Sequence, residues 1–202
     1  MGKIAIVISA SDEYQPIWDI TYPSTKSYCD KHNYDLIRVQ TGVKPLNWER
    51  FHTIIHALPK YDWIFCRGVD MLVMNPEIKL EEFIDENYDF IITRDCHDLN
   101  SDAILIKNSD WSRDYLNYLY YDCFNQYKHD CWMEQRAIIN SYKQYPDNIK
   151  VIPQKSLNSY HYPYYNRSEN EIGQYTDGDL YIHFPGLSMK DRIEKMTAWT
   201  QK

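Results

Sequence analysis

A single carboxylate stands between two apolar stretches that should both be buried. Asp70 follows the run at 63–66 shortly after Arg67 and Gly68, and it directly precedes a second run at 71–74. If the first run is a strand of a parallel sheet, Asp70 lies beyond its carboxyl end, where open α/β sheets bind their ligands. Gly68 can adopt backbone conformations that other residues avoid and permits close approach by a ligand. The alternative is an Arg67–Asp70 ion pair across a turn, and these residues alone leave both interpretations open.

Alternating apolar runs and helical-period segments predict the elements that must position this carboxylate. Strands are expected at 4–9, 34–39, 63–66, 71–74, 90–93 and 103–107, and helices at 23–32, 48–58, 80–86, 111–127 and 131–142. The β-α-β-α-β opening favours a largely parallel sheet covered by helices. The segment 155–178 is rich in Tyr, Asn, Ser and Pro and is predicted to be a long loop. The chain has no Gly-x-Gly-x-x-Gly dinucleotide motif and no Walker loop.

Composition narrows the classes of protein to consider. A chain of 202 residues with 44% apolar residues suits one domain with a substantial core. The formal net charge of −7 disfavours binding to duplex nucleic acid, because such proteins usually carry a basic surface. The same charge argues against binding an anionic membrane surface.

The cysteines and the N-terminal stretch predict a cytoplasmic protein. The five cysteines are odd in number and include no Cys-x-x-Cys pair, so we interpret them as reduced thiols. The first apolar stretch is too short for a membrane span and does not resemble a signal peptide, and we expect neither in this chain. The glycosylation sequon at 166–168 is then expected to be a chance occurrence.

Several short motifs resemble, in order and spacing, those of the galactosyl/mannosyl/xylosyl transferase family, whose members are nucleotide-sugar glycosyltransferases with the GT-A fold. The Asp70 region resembles the family's D-x-D segment, with Gly68 in place of the first Asp. The other matching segments are Tyr61-Asp62-Trp63-Ile64 and Asn75-Pro76 on either side of it, Trp48-Glu49-Arg50, Leu99-Asn100-Ser101 with 104–112, Glu134-Gln135-Arg136-Ala137, and 179–186. The resemblance covers about 4–190, nearly the whole chain.

The resemblance implies an α/β protein with a single GT-A-type, Rossmann-like domain over 1–202. Its sheet is expected to be mixed, mostly parallel and flanked by helices. The nucleotide-binding half should lie at about 1–95 and the acceptor-side half at about 96–202. The implied activity is transfer of a sugar from a nucleotide-diphosphate sugar to an acceptor hydroxyl, with retention of configuration and a divalent metal. The expected partners are the sugar donor and a glycan or another hydroxyl-bearing acceptor.

The same resemblance implies a metal site that has lost one ligand. Asp70 corresponds to the second Asp of the family motif and His183 to its C-terminal His, so both are expected to bind Mn²⁺ or Mg²⁺. Such a cation stabilises the negative charge that grows on the departing diphosphate, and Mn²⁺ accepts imidazole as well as oxygen ligands. Because Gly68 replaces the first Asp, metal binding without nucleotide should be weakened.

Further site residues follow from the resemblance, except Ser9 and Tyr14, which are expected to hold the nucleoside because they lie at the end of the first strand. Donor-binding residues are expected to be Asp70 with Ser9, Tyr14, Asn100, Gly186 and Lys190, and catalytic residues Gln135, Glu134 and Asp102. Asn100 and Asp102 are placed in an acidic loop, where their oxygens could accept hydrogen bonds from sugar hydroxyls. Each has an ordinary alternative: a surface aromatic for Tyr14, an exposed helix start for Lys190, an exposed helix face for Glu134 and Gln135, and a solvated turn for Asn100 and Asp102.

Three other functions stay open at this point. The chain could be a catalytically inactive nucleotide-sugar-binding protein of the same fold, an interpretation that Gly68 favours. It could be a phage-type transferase that glycosylates a modified DNA base, although its acidic balance argues against this. A metal-dependent phosphoesterase using Asp70 and His183 would need further ligands, and the chain has no His-x-His motif.

Overall fold

The apolar runs found in the sequence form the strands of a six-stranded sheet. In the computed structural model, residues 2–40, 42–162 and 173–201 are described. The strands are β1 Ile4–Ser9, β2 Asp35–Val39, β3 Trp63–Arg67, β4 Met71–Val73, β5 Phe90–Asp95, β6 Asp98–Lys107, β7 Ile149–Ile152, β8 Ser159–Tyr160 and β9 Tyr181–His183. The helices are α1 Gln15–His32, α2 Leu46–Ala57, α3 Asp110–Asn117, α4 Phe124–Tyr127, α5 Met133–Ser141, α6 Gln154–Leu157 and α7 Met189–Trp199.

The main sheet is mixed and mostly parallel, as predicted. Its strand order is β2-β1-β3-β6-β5-β7, and β6 is antiparallel to both of its neighbours while the other pairs are parallel. Alternate residues of each central strand enter one of two cores. One core lies against α1 and α7 and contains Ile6 and Phe65, and the other lies against α2, α3 and α5 and contains Val7 and Ile64. Because helices cover both faces, the central strands are almost entirely apolar.

A second, smaller sheet lies beside the end of β3. Its order is β4-β9-β8, with β4 and β9 antiparallel and Met71 paired with His183. The backbone N–H of Phe184 donates to the Asp70 carbonyl at 3.0 Å, which extends this pairing by one residue. The small sheet therefore brings the segment after β3 next to the C-terminal part of the chain.

Helix α1 is longer than the sequence predicted. It begins at Gln15 rather than at Pro23, and Pro23 lies within it. The buried positions Ile17, Thr21 and Tyr28 fall on one face across this proline, so tertiary packing outweighs the lost backbone hydrogen bond. The helix ends at Asn33, whose φ of 58° is the left-handed conformation common at helix ends.

The second half of the chain departs further from the predicted elements. The helix expected at 111–127 is divided into α3, a π-helical segment Tyr118–Cys123 and α4, and the helix expected at 80–86 is one 3₁₀ turn, Leu80–Phe83. The predicted loop at 155–178 contains α6 and β8. Residues 163–172, including the sequon at 166–168, lie outside the described residues.

Strand β6 begins five residues earlier than predicted, at Asp98, and carries a bulge. The register with β5 pairs Ile92 with Ile104 but Thr93 with Asn100. Residues 101–103 therefore have no partner on β5. The prediction of an acidic loop at Asn100 and Asp102 was wrong, because both lie on this strand. Bulges redirect side chains at the ends of strands, and here the bulge contains Asp102.

None of the helices in the described ranges combines the length and the apolar character needed to cross a bilayer. The cytoplasmic location stays a prediction.

Candidate active site

A cavity of about 450 Å³ opens at the carboxyl ends of β1 and β3. This is the edge of the sheet where ligands of open α/β folds bind. Its lining includes Ser9, Tyr14, Asp70, Asp102, His183 and Gly186 among the residues predicted from sequence. The structure thus collects these residues around one space, although their individual roles stay predictions.

Asp70 and His183 meet because β4 pairs with β9. His183 Nε2 lies 3.2 Å from Asp70 Oδ1, and the other oxygen of Asp70 lies 3.1 Å from Arg192 Nε. Arg67 points elsewhere and donates to the carbonyl of Met71 at 2.6 Å. The alternative Arg67–Asp70 ion pair is therefore not formed, and Arg192 takes that position.

The His183 ring is oriented from its far side. Its side chain is fully buried, and Nδ1 lies 2.6 Å from Asn158 Oδ1. Since an amide oxygen only accepts, Nδ1 carries a proton and donates it to Asn158, which leaves Nε2 as the nitrogen that faces Asp70 and the cavity. Among the described residues, Nε2 has no hydrogen-bond partner. A ring held in this way is typical of a metal-binding histidine.

Asp70 and His183 shift each other's pKa values. Burial alone would lower the pKa of His183, but the neighbouring Asp70 carboxylate outweighs burial and raises it above its usual value. For Asp70, burial opposes ionisation, yet His183 and Arg192 together hold its pKa below the usual range. An ionised carboxylate is the form that binds a cation or accepts hydrogen bonds.

The residues present fit a divalent cation in part. A carboxylate oxygen and an unpartnered imidazole nitrogen 3.2 Å apart match two adjacent ligands of an octahedral ion, since ligand distances near 2.1 Å place neighbouring ligands about 3 Å apart. No group of three or more His, Cys, Asp or Glu side chains stands ready to hold a metal in the part of the chain that the structure describes. A cation here would be held by Asp70 and His183, with further ligands drawn from elsewhere.

Glu134 does not reach the cavity. Its side chain is 3% exposed; Oε1 accepts from Arg50 Nη2 and, at 2.9 Å, from the Ser101 hydroxyl. Burial raises its pKa despite the nearby Arg50. The alternative of an exposed helix face is wrong for this residue, because Glu134 is buried and pairs with Arg50, which itself lines the cavity.

Three other predicted residues also lie outside the cavity lining. Gln135 Oε1 accepts from the Ser101 backbone N–H at 3.1 Å, and Asn100 is buried and accepts from the Asp102 N–H at 2.8 Å through its Oδ1. Lys190 is exposed in the first turn of α7. The structure therefore gives Asn100 a part in positioning Asp102.

Two arginines at the cavity were not predicted as site residues. Arg50 was noted only as part of a motif, and Arg192 was not considered. A signal for Arg192 existed, because Ser188 and Asp191 form a helix-start pattern that places Arg192 in the first turns after β9. No local pattern indicates that Arg50 is buried, since its partner Glu134 is 84 residues away.

The fold is shared with solved glycosyltransferases of the GT-A class. A glycosyltransferase involved in the glycosylation of the major capsid of PBCV-1 superposes with a TM-score of 0.79 at 17% identity, over 97% of this chain and 99% of that one. The galactosyltransferase LgtC, in complex with donor and acceptor sugar analogs, gives a TM-score of 0.60 at 12% identity, over 96% and 95% of the two chains.

The chain belongs to the galactosyl transferase GMA12/MNN10 family, whose family model matches residues 84–194. A second model, for a protein family of unknown function (DUF273), matches residues 25–130. The probable alpha-1,6-mannosyltransferase MNN10 of Saccharomyces cerevisiae is 24% identical over 70% of this chain and 47% of its own length. An alpha-1,2-galactosyltransferase of Schizosaccharomyces pombe is 22% identical over 95% of this chain and 62% of its own. The chain spans about half the length of the first of these curated relatives.

Proposed function

We propose that this chain transfers a sugar from a nucleoside-diphosphate sugar to an acceptor hydroxyl, with Asp70 and His183 holding a divalent cation. One observation carries the proposal: a fully buried imidazole nitrogen with no hydrogen-bond partner in the described residues faces the Asp70 carboxylate at the ligand edge of a GT-A sheet. When bound, the cation would neutralise charge on the diphosphate. Membership of a galactosyl transferase family supports the reaction class.

The reaction breaks the bond between the anomeric carbon and the diphosphate oxygen and forms a bond from that carbon to the acceptor oxygen. The acceptor proton passes to the departing diphosphate, so no separate side-chain base is required. Retention of configuration belongs to this proposal and follows the family. The chain's own part is electrostatic: Arg50 and Arg192 place guanidinium groups at the cavity, where they attract and orient an anionic donor.

The nucleoside would lie near the end of β1. Ser9 and Tyr14 are both at the cavity wall, on the side where β1 ends. The aromatic ring of Tyr14 can stack on a nucleotide base while its hydroxyl stays in water. Donor sugar and acceptor would then extend toward β6 and Asp102.

Calorimetric titration with UDP and with GDP, each in Mn²⁺, Mg²⁺ or excess EDTA, tests the proposal. We expect binding that tightens at least tenfold with the metal, and release of nucleoside diphosphate from UDP-galactose or GDP-mannose. Asp70→Asn should lose the metal dependence while keeping the fold, as judged by circular dichroism. Asp30→Asn, which removes an exposed carboxylate that pairs with Lys26, is the matched control. If the parent protein bound the nucleotides equally well without metal, the proposed divalent cation would be contradicted. If Asp70→Asn kept full turnover, the assignment of Asp70 to the active site would be contradicted.

A second candidate is a catalytically inactive nucleotide-sugar-binding protein, and Gly68 is the observation that favours it, because it removes one expected acidic ligand. The same titrations separate the two. Metal-dependent nucleotide binding without release of nucleoside diphosphate from any sugar donor would support the inactive form.

A further inference from the structure

The space beside Gly68 is already occupied by two carboxylate side chains, those of Asp70 and Asp102. A Cβ placed on Gly68 would lie 2.9 Å from Asp70 Oδ1 and 3.2 Å from Asp102 Cγ. Contacts this short require a neighbour to move. A side chain at position 68 and the Asp102 side chain therefore compete for one volume at the cavity wall.

The backbone fixes Asp102 directly opposite Gly68. The Gly68 N–H donates to the Asp102 carbonyl at 3.1 Å, continuing the β3–β6 pairing past Arg67 and Ala103. The Asp102 N–H donates to Asn100 Oδ1 at 2.8 Å. The β6 bulge at 101–103 lets Asp102 keep this pairing with β3 while it is released from β5. The position of Asp102 is therefore set through both its main-chain carbonyl and its main-chain N–H.

The two oxygens of Asp102 face different groups. Oδ1 pairs with Arg50 Nη1 at 3.2 Å, and Oδ2 lies 3.9 Å from His183 Nε2. The same Nε2 lies 3.2 Å from Asp70 Oδ1. The buried nitrogen thus has two carboxylate oxygens within 4 Å, one from the turn between β3 and β4 and one from β6.

The facing atoms of this arrangement are all ones that can bind a cation. Nδ1 of His183 is taken up by Asn158, so Nε2 is the ring nitrogen that faces the two carboxylates. Arg192 and Arg50 each engage the other oxygen of their carboxylate, so neither stands between the facing atoms. The facing atoms suit a small cation with oxygen and imidazole ligands.

We propose that Asp102, on β6, supplies the carboxylate that position 68 lacks and completes a cation site with Asp70 and His183. This inference rests on the proposed function. The 3.9 Å separation from Nε2 exceeds the roughly 3 Å expected between adjacent ligands of Mn²⁺ or Mg²⁺. A rotation of the Asp102 side chain, which is 37% exposed, would have to close this gap when the cation binds.

The test is direct measurement of Mn²⁺ affinity from the electron paramagnetic resonance signal of the free ion, with and without UDP. We expect Asp102→Asn to weaken Mn²⁺ binding at least tenfold, as Asp70→Asn should. Asp110→Asn, which makes the same charge change at an exposed residue paired with Arg113, should leave the affinity within about twofold.

A second part of the experiment exchanges the residues at positions 68 and 102. Gly68→Asp alone should not strengthen Mn²⁺ binding, because its side chain meets both Asp70 and Asp102. The double variant Gly68→Asp/Asp102→Gly should recover affinity to within about threefold of the parent, whereas Asp102→Gly alone should not. Thermal melting of every variant separates loss of the ion from loss of the fold.

The outcomes distinguish this inference from the proposed function. If Asp70→Asn loses Mn²⁺ while Asp102→Asn retains it, Asp102 serves only as a partner of Arg50, and this inference alone is overturned. If the parent binds no Mn²⁺ with or without UDP, both are overturned. Recovery in the exchange variant supports the inference against a purely structural role for Asp102.

Discussion

Replacing Glu134 with Gln should destabilise the fold through Arg50. The two side chains are 3% and 5% exposed and form an ion pair across 84 residues of sequence. Glu134→Gln keeps the shape of the side chain and removes its charge. Among the described residues, the carboxylate that then remains paired with Arg50 is that of Asp102, which is 37% exposed and lies 3.2 Å away. A buried guanidinium loses its buried counter-charge, while its Nε already has no hydrogen-bond partner in the described residues.

The expected magnitude follows from the burial of both partners. Removing one member of a buried ion pair costs about 3–5 kcal/mol of unfolding free energy. Because about 1 kcal/mol shifts the melting temperature of a domain this size by roughly 2–4 °C, we expect Tm to fall by about 6–20 °C. Replacing both partners, as in Arg50→Met/Glu134→Leu, should recover part of that loss, since a well-packed apolar pair can substitute for a buried ion pair.

Urea denaturation followed by circular dichroism, together with thermal melting, measures the effect. Lys26→Met, which breaks an exposed pair with Asp30 on α1, is the control and should give no measurable change. A Glu134→Gln variant as stable as the parent but without turnover would refute this reasoning. Glu134 would then be catalytic, as the family resemblance first suggested.

Two further predictions concern the backbone and the thiols. Gly186 lies at the cavity wall with a φ of 68°, a left-handed conformation. Gly186→Ala should therefore lower the free energy of unfolding, measured by urea denaturation, by roughly 1–2 kcal/mol, and Gly186→Asn should lower it less, because Asn tolerates left-handed backbone. Equal losses of stability in both variants would point to lost space rather than to backbone strain. Of the five cysteines, the exposed Cys96 and Cys131 should react rapidly with DTNB at pH 8. The buried thiols should react only after denaturant is added, since burial raises the pKa of Cys29 and of Cys66 to about 11. A third rapidly reacting thiol in the native protein would contradict this burial.

The central strands could be predicted because each one is marked by a run of apolar residues within its own sequence. Helices cover both faces of the main sheet, so β1, β3 and β5 read as short apolar runs. Position relative to these runs also placed Ser9 and Asp70 at the ligand edge. The family resemblance added His183, which no local pattern singles out.

Elements defined by distant contacts were less predictable. Pro23 resembles a helix start, yet the buried face of α1 continues through it because the sheet lies beneath. The acidic segment at Asn100 and Asp102 resembles a loop in its polar composition, whereas the backbone partner of Asp102 is Gly68 at the end of β3, which is distant in sequence.

Sequence patterns predict a helix-covered α/β sheet with a carboxylate at the end of its third strand, and the family resemblance adds His183 and Asp102 to the same site. Only the folded chain shows how the groups reach that carboxylate and that Arg192 joins them: His183 arrives through β4–β9 pairing, Arg192 from the first turn of α7, and Asp102 from a bulge on β6. The physical reason is that apolar periodicity reports burial of a segment along its own length. Electrostatic partners are chosen by strand register and helix placement, which depend on the whole chain.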